Sequence, residues 1–81
     1  MTRDEIYAKL SIYLQDLFDI PEEKIRPDAQ LFQELDLDSI DAVDLVVQLQ
    51  ELTGRKIKPE QFKTVRTVGD VVDQVHALLD Q

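Results

Sequence analysis

One short stretch of the chain combines a hydroxyl with several carboxylates. In Glu34-Leu35-Asp36-Leu37-Asp38-Ser39-Ile40-Asp41, a serine stands among four acidic residues. A serine nucleophile needs a base within reach, but the only histidine, His76, is remote in sequence and no G-x-S-x-G motif surrounds Ser39. The sequence therefore argues against a serine hydrolase.

The carboxylates of this stretch do not fit a calcium-binding loop. An EF-hand loop that started at Asp36 would place Ile40 at the fifth position, Asp41 at the turn glycine and Val47 at the closing glutamate. None of these three residues suits its position, so a dedicated calcium site is not predicted.

The same residues are typical of the start of a helix. Asp38 is a favoured N-cap, Asp41 stands three residues later as in a capping box, and an apolar-periodic run follows. Ser39 is then the first residue of the helix, at the positive end of its dipole, where a phosphate group is stabilised. The pattern indicates a serine suited to bearing or binding a phosphate.

The composition of the whole chain predicts a small acidic protein. Its 81 residues suggest a single domain over 1–81, and the net charge of −8 argues against nucleic-acid binding and for partners with basic surfaces. The chain has no cysteine, no apolar run long enough to cross a membrane and no signal-peptide pattern, so we expect a soluble, cytoplasmic protein.

Against this acidic background, the basic segment, defined as Arg55 to Arg66, carries five bases and one acid. Its simplest interpretation is a solvated loop. The five bases are Arg55, Lys56, Lys58, Lys63 and Arg66.

Hydrophobic periodicity predicts an all-α fold, a small four-helix bundle with three main helices, a short third helix and a long loop between helices one and two. Helix one follows the cap Thr2 and reaches Phe18, and a loop of roughly eighteen residues leads to Asp38. Helix two runs from Ser39 to about Thr53 and stops at Gly54. The short helix begins at Pro59 with a possible Ile57–Phe62 staple, and the last helix is capped by Thr67 with Asp70 at its third position.

Helix two carries apolar residues on two opposite faces. The core face contains Ala42, Leu45, Val46, Leu49 and Leu52. Nearly opposite lies the outer stripe, defined as Ile40, Val43 and Val47, with Asp44 and Glu51 beside it. Exposed apolar side chains flanked by carboxylates are typical of a docking surface for a basic partner, unless the long loop covers them.

The segment Leu31 to Val46, LFQELDLDSIDAVDLV, resembles the signature of acyl carrier proteins, commonly written E-x-L-G-x-D-S-L-x-x-x-E-L. The similarity extends over the full chain, in the order of the helices, the long loop and the acidity. Three departures stand out. Asp36 replaces the usual glycine, Ile40 replaces the usual leucine, and the basic segment replaces a commonly acidic one.

The resemblance implies a carrier without catalysis of its own. A phosphopantetheinyl transferase, using Mg²⁺ and coenzyme A, would esterify Ser39 with 4′-phosphopantetheine, and Asp38 would help the transferase to engage. The thiol of the arm would carry acyl groups as thioesters. The outer stripe with Asp44 and Glu51 matches the family's recognition helix.

The resemblance also implies partners. Delivery would be to acyltransferase and ketosynthase-type enzymes with basic docking patches, in fatty-acid or polyketide-type biosynthesis. The basic segment suggests a dedicated partner set, such as a polyketide-like or aryl-polyene-like pathway. A monomer is expected. Two alternatives stay open: an unmodified helical interaction domain, and a peptidyl carrier domain, although the glycine-rich approach to the serine typical of the latter is missing.

Overall fold

The computed structural model describes residues 1–62 and 64–79. It contains three α-helices: α1 (Arg3–Phe18), α2 (Ser39–Thr53) and α3 (Val68–Leu79). Two short 3₁₀ helices, Glu22–Lys24 and Pro59–Phe62, lie between them. No β-strand occurs in this part of the chain, and the predicted all-α class is confirmed. The predicted short third helix is a 3₁₀ helix of four residues, so the described fold has three α-helices rather than four.

The helices begin and end at the residues that local chemistry favours. Thr2 and Glu5 form a capping box at the start of α1, and Thr67 and Asp70 exchange the equivalent bonds at the start of α3. At the end of α2, Gly54 adopts φ 67°, the left-handed conformation of a helix C-cap. The predicted bounds of α1 and α2 and the predicted start of α3 are therefore confirmed.

One hydrophobic core joins the three α-helices and the long loop. The loop contributes six buried apolar side chains to the core, namely Ile20, Ile25, Ala29, Leu31, Leu35 and Leu37. Phe32, in the same loop, is 46% exposed. The loop thus packs its own side chains, as expected for a long loop in a small domain. None of the helices in residues 1–62 and 64–79 is long and apolar enough to cross a membrane.

Backbone hydrogen bonds fasten the loop to the start of α3. The Leu31 N–H donates to the Arg66 carbonyl at 2.8 Å, and the Val68 N–H donates to the Ala29 carbonyl at 3.0 Å. The Gly69 N–H donates to the Pro27 carbonyl at 2.8 Å. A Cβ at Gly69 would lie only 2.9 Å from that carbonyl oxygen, so this close approach requires glycine. These bonds fix the loop that leads to Ser39.

Candidate functional site

The start of α2 is held by a reciprocal pair of hydrogen bonds. Asp38 Oδ1 accepts the Asp41 N–H at 2.9 Å, and Asp41 Oδ2 accepts the Asp38 N–H at 3.2 Å. The Ala42 N–H then donates to the Asp38 carbonyl at 3.0 Å, which is the first bond of the helical ladder. The predicted capping box is confirmed. It fixes the backbone on both sides of Ser39.

Ser39 is the first residue of α2 and its side chain is exposed. The first N–H groups of a helix lack intrahelical partners, and the aligned peptide dipoles place partial positive charge there. A phosphate ester on the Ser39 hydroxyl would therefore extend into solvent beside a favourable field. His76 lies in the last turn of α3, a different element from that of Ser39.

The turn before Ser39 retains a left-handed residue. Asp36, which stands where the family signature has glycine, adopts φ 57°. The substitution therefore does not abolish the positive φ at this position. The Leu37 N–H donates to the Leu31 carbonyl at 3.1 Å, which closes the turn directly before the cap. Aspartate tolerates this conformation better than most residues, although glycine adopts it without a steric penalty.

The two predicted faces of α2 are present. On the core face Leu45, Val46 and Leu49 are buried, while Ala42 and Leu52 are partly buried. The outer stripe is exposed, with Ile40 at 71%, Val43 at 49% and Val47 at 43%. Asp44 and Glu51 are exposed as well. The alternative in which the long loop covers the stripe is wrong, because that loop packs into the core instead.

Two spaces of different chemistry flank the start of α2. An open groove of about 460 Å³ between the end of α1 and the long loop has apolar side chains and the carboxylates of Asp19, Glu34, Asp36 and Asp41, with Lys24 as its basic residue. A cavity of about 20 Å³ has an entirely apolar lining, formed by Leu31, Phe32, Leu37, Ala42, Leu45, Phe62, Val65 and Val71. Within the described chain, no three acidic or histidine side chains are grouped closely enough to hold a metal ion.

The structure adds Phe32 and Phe62 to the surroundings of the site. Both line the apolar cavity, together with Ala42 of α2. In the sequence, Phe32 is one of the apolar residues of the long loop, and Phe62 is the partner of Ile57 in the predicted staple. Neither position reveals a cavity, because the cavity arises from tertiary packing of the loop against α2.

The basic segment is largely exposed. Arg55, Lys56, Lys58 and Arg66 lie at the surface, whereas Ile57 is buried and its N–H donates to Gln50 Oε1 at 2.9 Å. Lys63 lies outside the described residues. The segment therefore exposes positive charge while Ile57 anchors it to α2.

Comparisons with known proteins support one family. A family model described as "Phosphopantetheine attachment site" matches residues 8–75. Acyl carrier protein 2 of Ralstonia nicotianae is 57% identical over 79 residues, 98% of each chain. The meromycolate extension acyl carrier protein of Mycobacterium leprae is 32% identical over 81 residues, covering 100% of this chain and 70% of that protein. The crystal structure of an acyl carrier protein from Thermotoga maritima superposes with a TM-score of 0.82 at 28% identity, covering 96% of this chain and 91% of that one.

Proposed function

The chain belongs to the acyl carrier protein family, and on that premise we propose that Ser39 is the residue that bears its prosthetic group. Proteins of this family are carriers rather than enzymes, and they hold acyl groups on covalently attached 4′-phosphopantetheine. The thiol of that group supplies the thioester chemistry that a chain without cysteine lacks. The local geometry of this chain supports Ser39 as the attachment residue.

The observation that carries the proposal is the placement of the two serines. Ser39 is exposed at the first position of α2, next to a fixed cap and the positive end of the helix. Ser11 is partly buried in the middle of α1, and its Oγ accepts a hydrogen bond from Gln15 Nε2 at 3.1 Å. Only Ser39 combines access for a transferase with a favourable field for the phosphodiester.

Intact mass spectrometry tests the attachment residue. Incubation with coenzyme A, Mg²⁺ and a phosphopantetheinyl transferase should add one phosphopantetheine mass to the wild type and to Ser11→Ala. The same incubation should leave Ser39→Ala unchanged. An unmodified wild type under conditions that modify a control carrier would overturn the proposal and favour the alternative of an unmodified interaction domain.

We assign two roles to Asp38. Its carboxylate caps α2 through the Asp41 N–H, and we propose that it also helps the transferase to engage, possible routes being direct contact or coordination of the transferase's Mg²⁺. Asp38→Ser keeps a side-chain acceptor for the cap but removes the charge. We expect this variant to be close to wild type in stability, whereas its rate of phosphopantetheine transfer should fall. Asp38→Ala should also lose about 1 kcal/mol of stability.

Comparing Asp38→Ser with Asp38→Ala separates the capping role of Asp38 from its role toward the transferase. Urea unfolding reports the cap, and the time course of mass addition reports the transferase. Wild-type transfer by Asp38→Ser would show that Asp38 acts only as a cap.

We propose that the outer stripe, with Asp44 and Glu51, is the surface that partner enzymes contact. It joins exposed apolar side chains to carboxylates on one side of the helix that begins at Ser39. A partner with a basic, partly apolar patch complements this surface: its basic groups pair with the carboxylates, and its apolar groups remove the exposed apolar side chains from water. Acyltransferase and ketosynthase-type enzymes are the expected partners.

We further propose that residues 1–81 act as a single carrier domain and as a monomer, since a net charge of −8 disfavours self-association. The 3₁₀ helix Pro59–Phe62 would serve as the short fourth helix of the carrier bundle. Fatty-acid biosynthesis is the general setting. The exposed basic segment supports the alternative setting, a specialised polyketide-type or aryl-polyene-like pathway.

A further inference from the structure

Two spaces that share Phe32 differ greatly in size. The apolar cavity inside the bundle measures about 20 Å³, and a water molecule needs roughly 10–15 Å³ on such a measure. It holds about one water, so an acyl chain of several carbons does not fit in this conformation. On the outer side of the same ring, a surface depression of about 180 Å³ is lined by Gln30, Phe32, Gln33 and Arg66. We call it the Arg66 depression.

Phe32 links the Arg66 depression to the start of α2. Its ring lines the depression, and it also lines the inner cavity together with Ala42. Ser39 precedes Ala42 by three residues, a spacing that places two side chains about 5–6 Å apart on one helix face. A group attached to Ser39 therefore leaves α2 within one helical turn of a residue that lines the same cavity as Phe32.

The side chains of the Arg66 depression favour an anionic, partly apolar ligand. The Arg66 guanidinium and the amides of Gln30 and Gln33 supply N–H donors, and the half-exposed ring of Phe32 supplies apolar area. The Leu31 N–H donates to the Arg66 carbonyl at 2.8 Å, which holds the backbones of Phe32 and Arg66 in a fixed relation. The Asp70 carboxylate already accepts the backbone N–H groups of Arg66 and Thr67 at the start of α3.

The other open space near Ser39 has the opposite charge. The groove beside α1 contains four carboxylates and one lysine. The groove repels a carboxylate, whereas the Arg66 guanidinium attracts one. The carboxylates already beside the depression, those of Glu34 and Asp70, accept the backbone N–H groups of Gln30 and Arg66. We propose that the Arg66 depression holds the distal carboxylate of an acyl chain attached through the arm, an inference that rests on the proposed function of Ser39.

Loading with a matched pair of acyl chains tests this proposal. A phosphopantetheinyl transferase transfers the arm from glutaryl-coenzyme A or valeryl-coenzyme A to ¹⁵N-labelled protein. The two chains have equal length and differ in the terminal carboxylate. Intact mass first confirms the loading, so a failure of the proposed function shows at that step.

NMR spectra then report the position of the chain. We expect the glutaryl chain to shift the side-chain amide signals of Gln30 and Gln33 and the Nε–H signal of Arg66, whereas the valeryl chain should not. Arg66→Gln should lose these shifts, and Phe32→Leu should reduce them. Lys56→Gln, which removes an exposed base outside the depression, should retain them.

Three results would overturn the proposal. Equal shifts from both chains would show that the carboxylate is not recognised. Shifts confined to the inner residues Leu45, Val65 and Val71 would place the chain inside the bundle, and glutaryl shifts that persist in Arg66→Gln would exclude the guanidinium as their cause.

Discussion

Asp36 and Asp19 are the two non-glycine residues of the described chain with a positive φ, and Asp36 is the one that precedes the site. Its φ of 57° lies in the left-handed region, and the turn it forms leads directly to the cap of α2. Such a conformation costs an ordinary residue roughly 1–2 kcal/mol. Aspartate lowers this penalty but does not remove it, so the approach to Ser39 retains some strain.

Substitutions at Asp36 should reveal this strain. We expect Asp36→Ala to be less stable than Asp36→Gly by about 1 kcal/mol, because only glycine adopts the left-handed region without a steric penalty. Asp28 is an exposed loop aspartate that is not among the positive-φ residues. There the order should reverse, with Asp28→Gly the less stable of its pair. Urea unfolding measures all four variants, and equal stabilities for the Asp36 pair would contradict the argument.

At the scale of the helix, α2 has one face in the core and an exposed face that we propose for recognition. Val43 is 49% exposed and Val46, three residues later, is 5% exposed. We expect Val43→Asp to change the free energy of unfolding by no more than about 0.5 kcal/mol. Val46→Asp places a carboxylate in the core and should be strongly destabilising.

Val43→Asp, together with Asp44→Lys, also tests the docking role of the outer stripe. Val43→Asp and Asp44→Lys should slow phosphopantetheine transfer and later acyl transfer while circular dichroism remains that of the wild type. A loss of helicity in Val43→Asp as large as that in Val46→Asp would mean that the stripe supports the fold rather than recognition.

The start of α3 gives a pH dependence with a definite sign. The backbone N–H groups of Arg66 and Thr67 donate to Asp70, and these bonds hold the pKa of its carboxyl below the ordinary value. Because the folded-state pKa is depressed, the stabilisation is present above the unfolded value near 3.9 and is lost as the pH falls through the folded value.

Asp70→Asn should therefore lose part of this dependence. At neutral pH we expect it to be less stable by about 0.3–1 kcal/mol, the usual effect of an acidic side chain in a first helical turn. The difference from the wild type should shrink as the pH falls below about 4. Thermal unfolding followed across pH 2.5–7 measures it, and parallel curves at low pH would contradict the assigned cause.

The sequence predicts the α-helices better than the long loop, because the helices depend on local contacts and the loop on tertiary ones. The three α-helices depend on caps within a few residues of each other, such as Asp38 with Asp41, and periodicity alone located the exposed stripe on α2. The long loop depends on tertiary bonds, such as Leu31 to Arg66, that involve only backbone atoms. No side-chain pattern encodes them, so the exposure of Phe32, the cavity beneath it and the Arg66 depression required the structure.

At the scale of the whole molecule, the dimensions of the protein determine how many of its charges interact at a given salt concentration. The described chain measures 31 × 24 × 20 Å and the protein has a net charge of −8. At 0.01 M salt the Debye length is about 30 Å, so every charge acts on every other; at 0.15 M it is about 8 Å, and only neighbours interact. The excess of acids therefore destabilises the compact state chiefly at low salt.

This charge should give folding and recognition opposite responses to salt. Raising the salt from 0.01 to 0.15 M should increase the melting temperature, because self-repulsion is screened. It should lower the second-order rate of phosphopantetheine transfer, because attraction to a basic partner is screened as well. The double variant Glu22→Gln/Glu23→Gln removes two exposed charges outside the outer stripe. We expect it to weaken the response of the melting temperature while keeping most of the response of the rate. A transfer rate that does not fall as the salt rises would mean that the acidic surface does not attract the transferase, and a melting temperature that does not rise would mean that self-repulsion does not destabilise the fold.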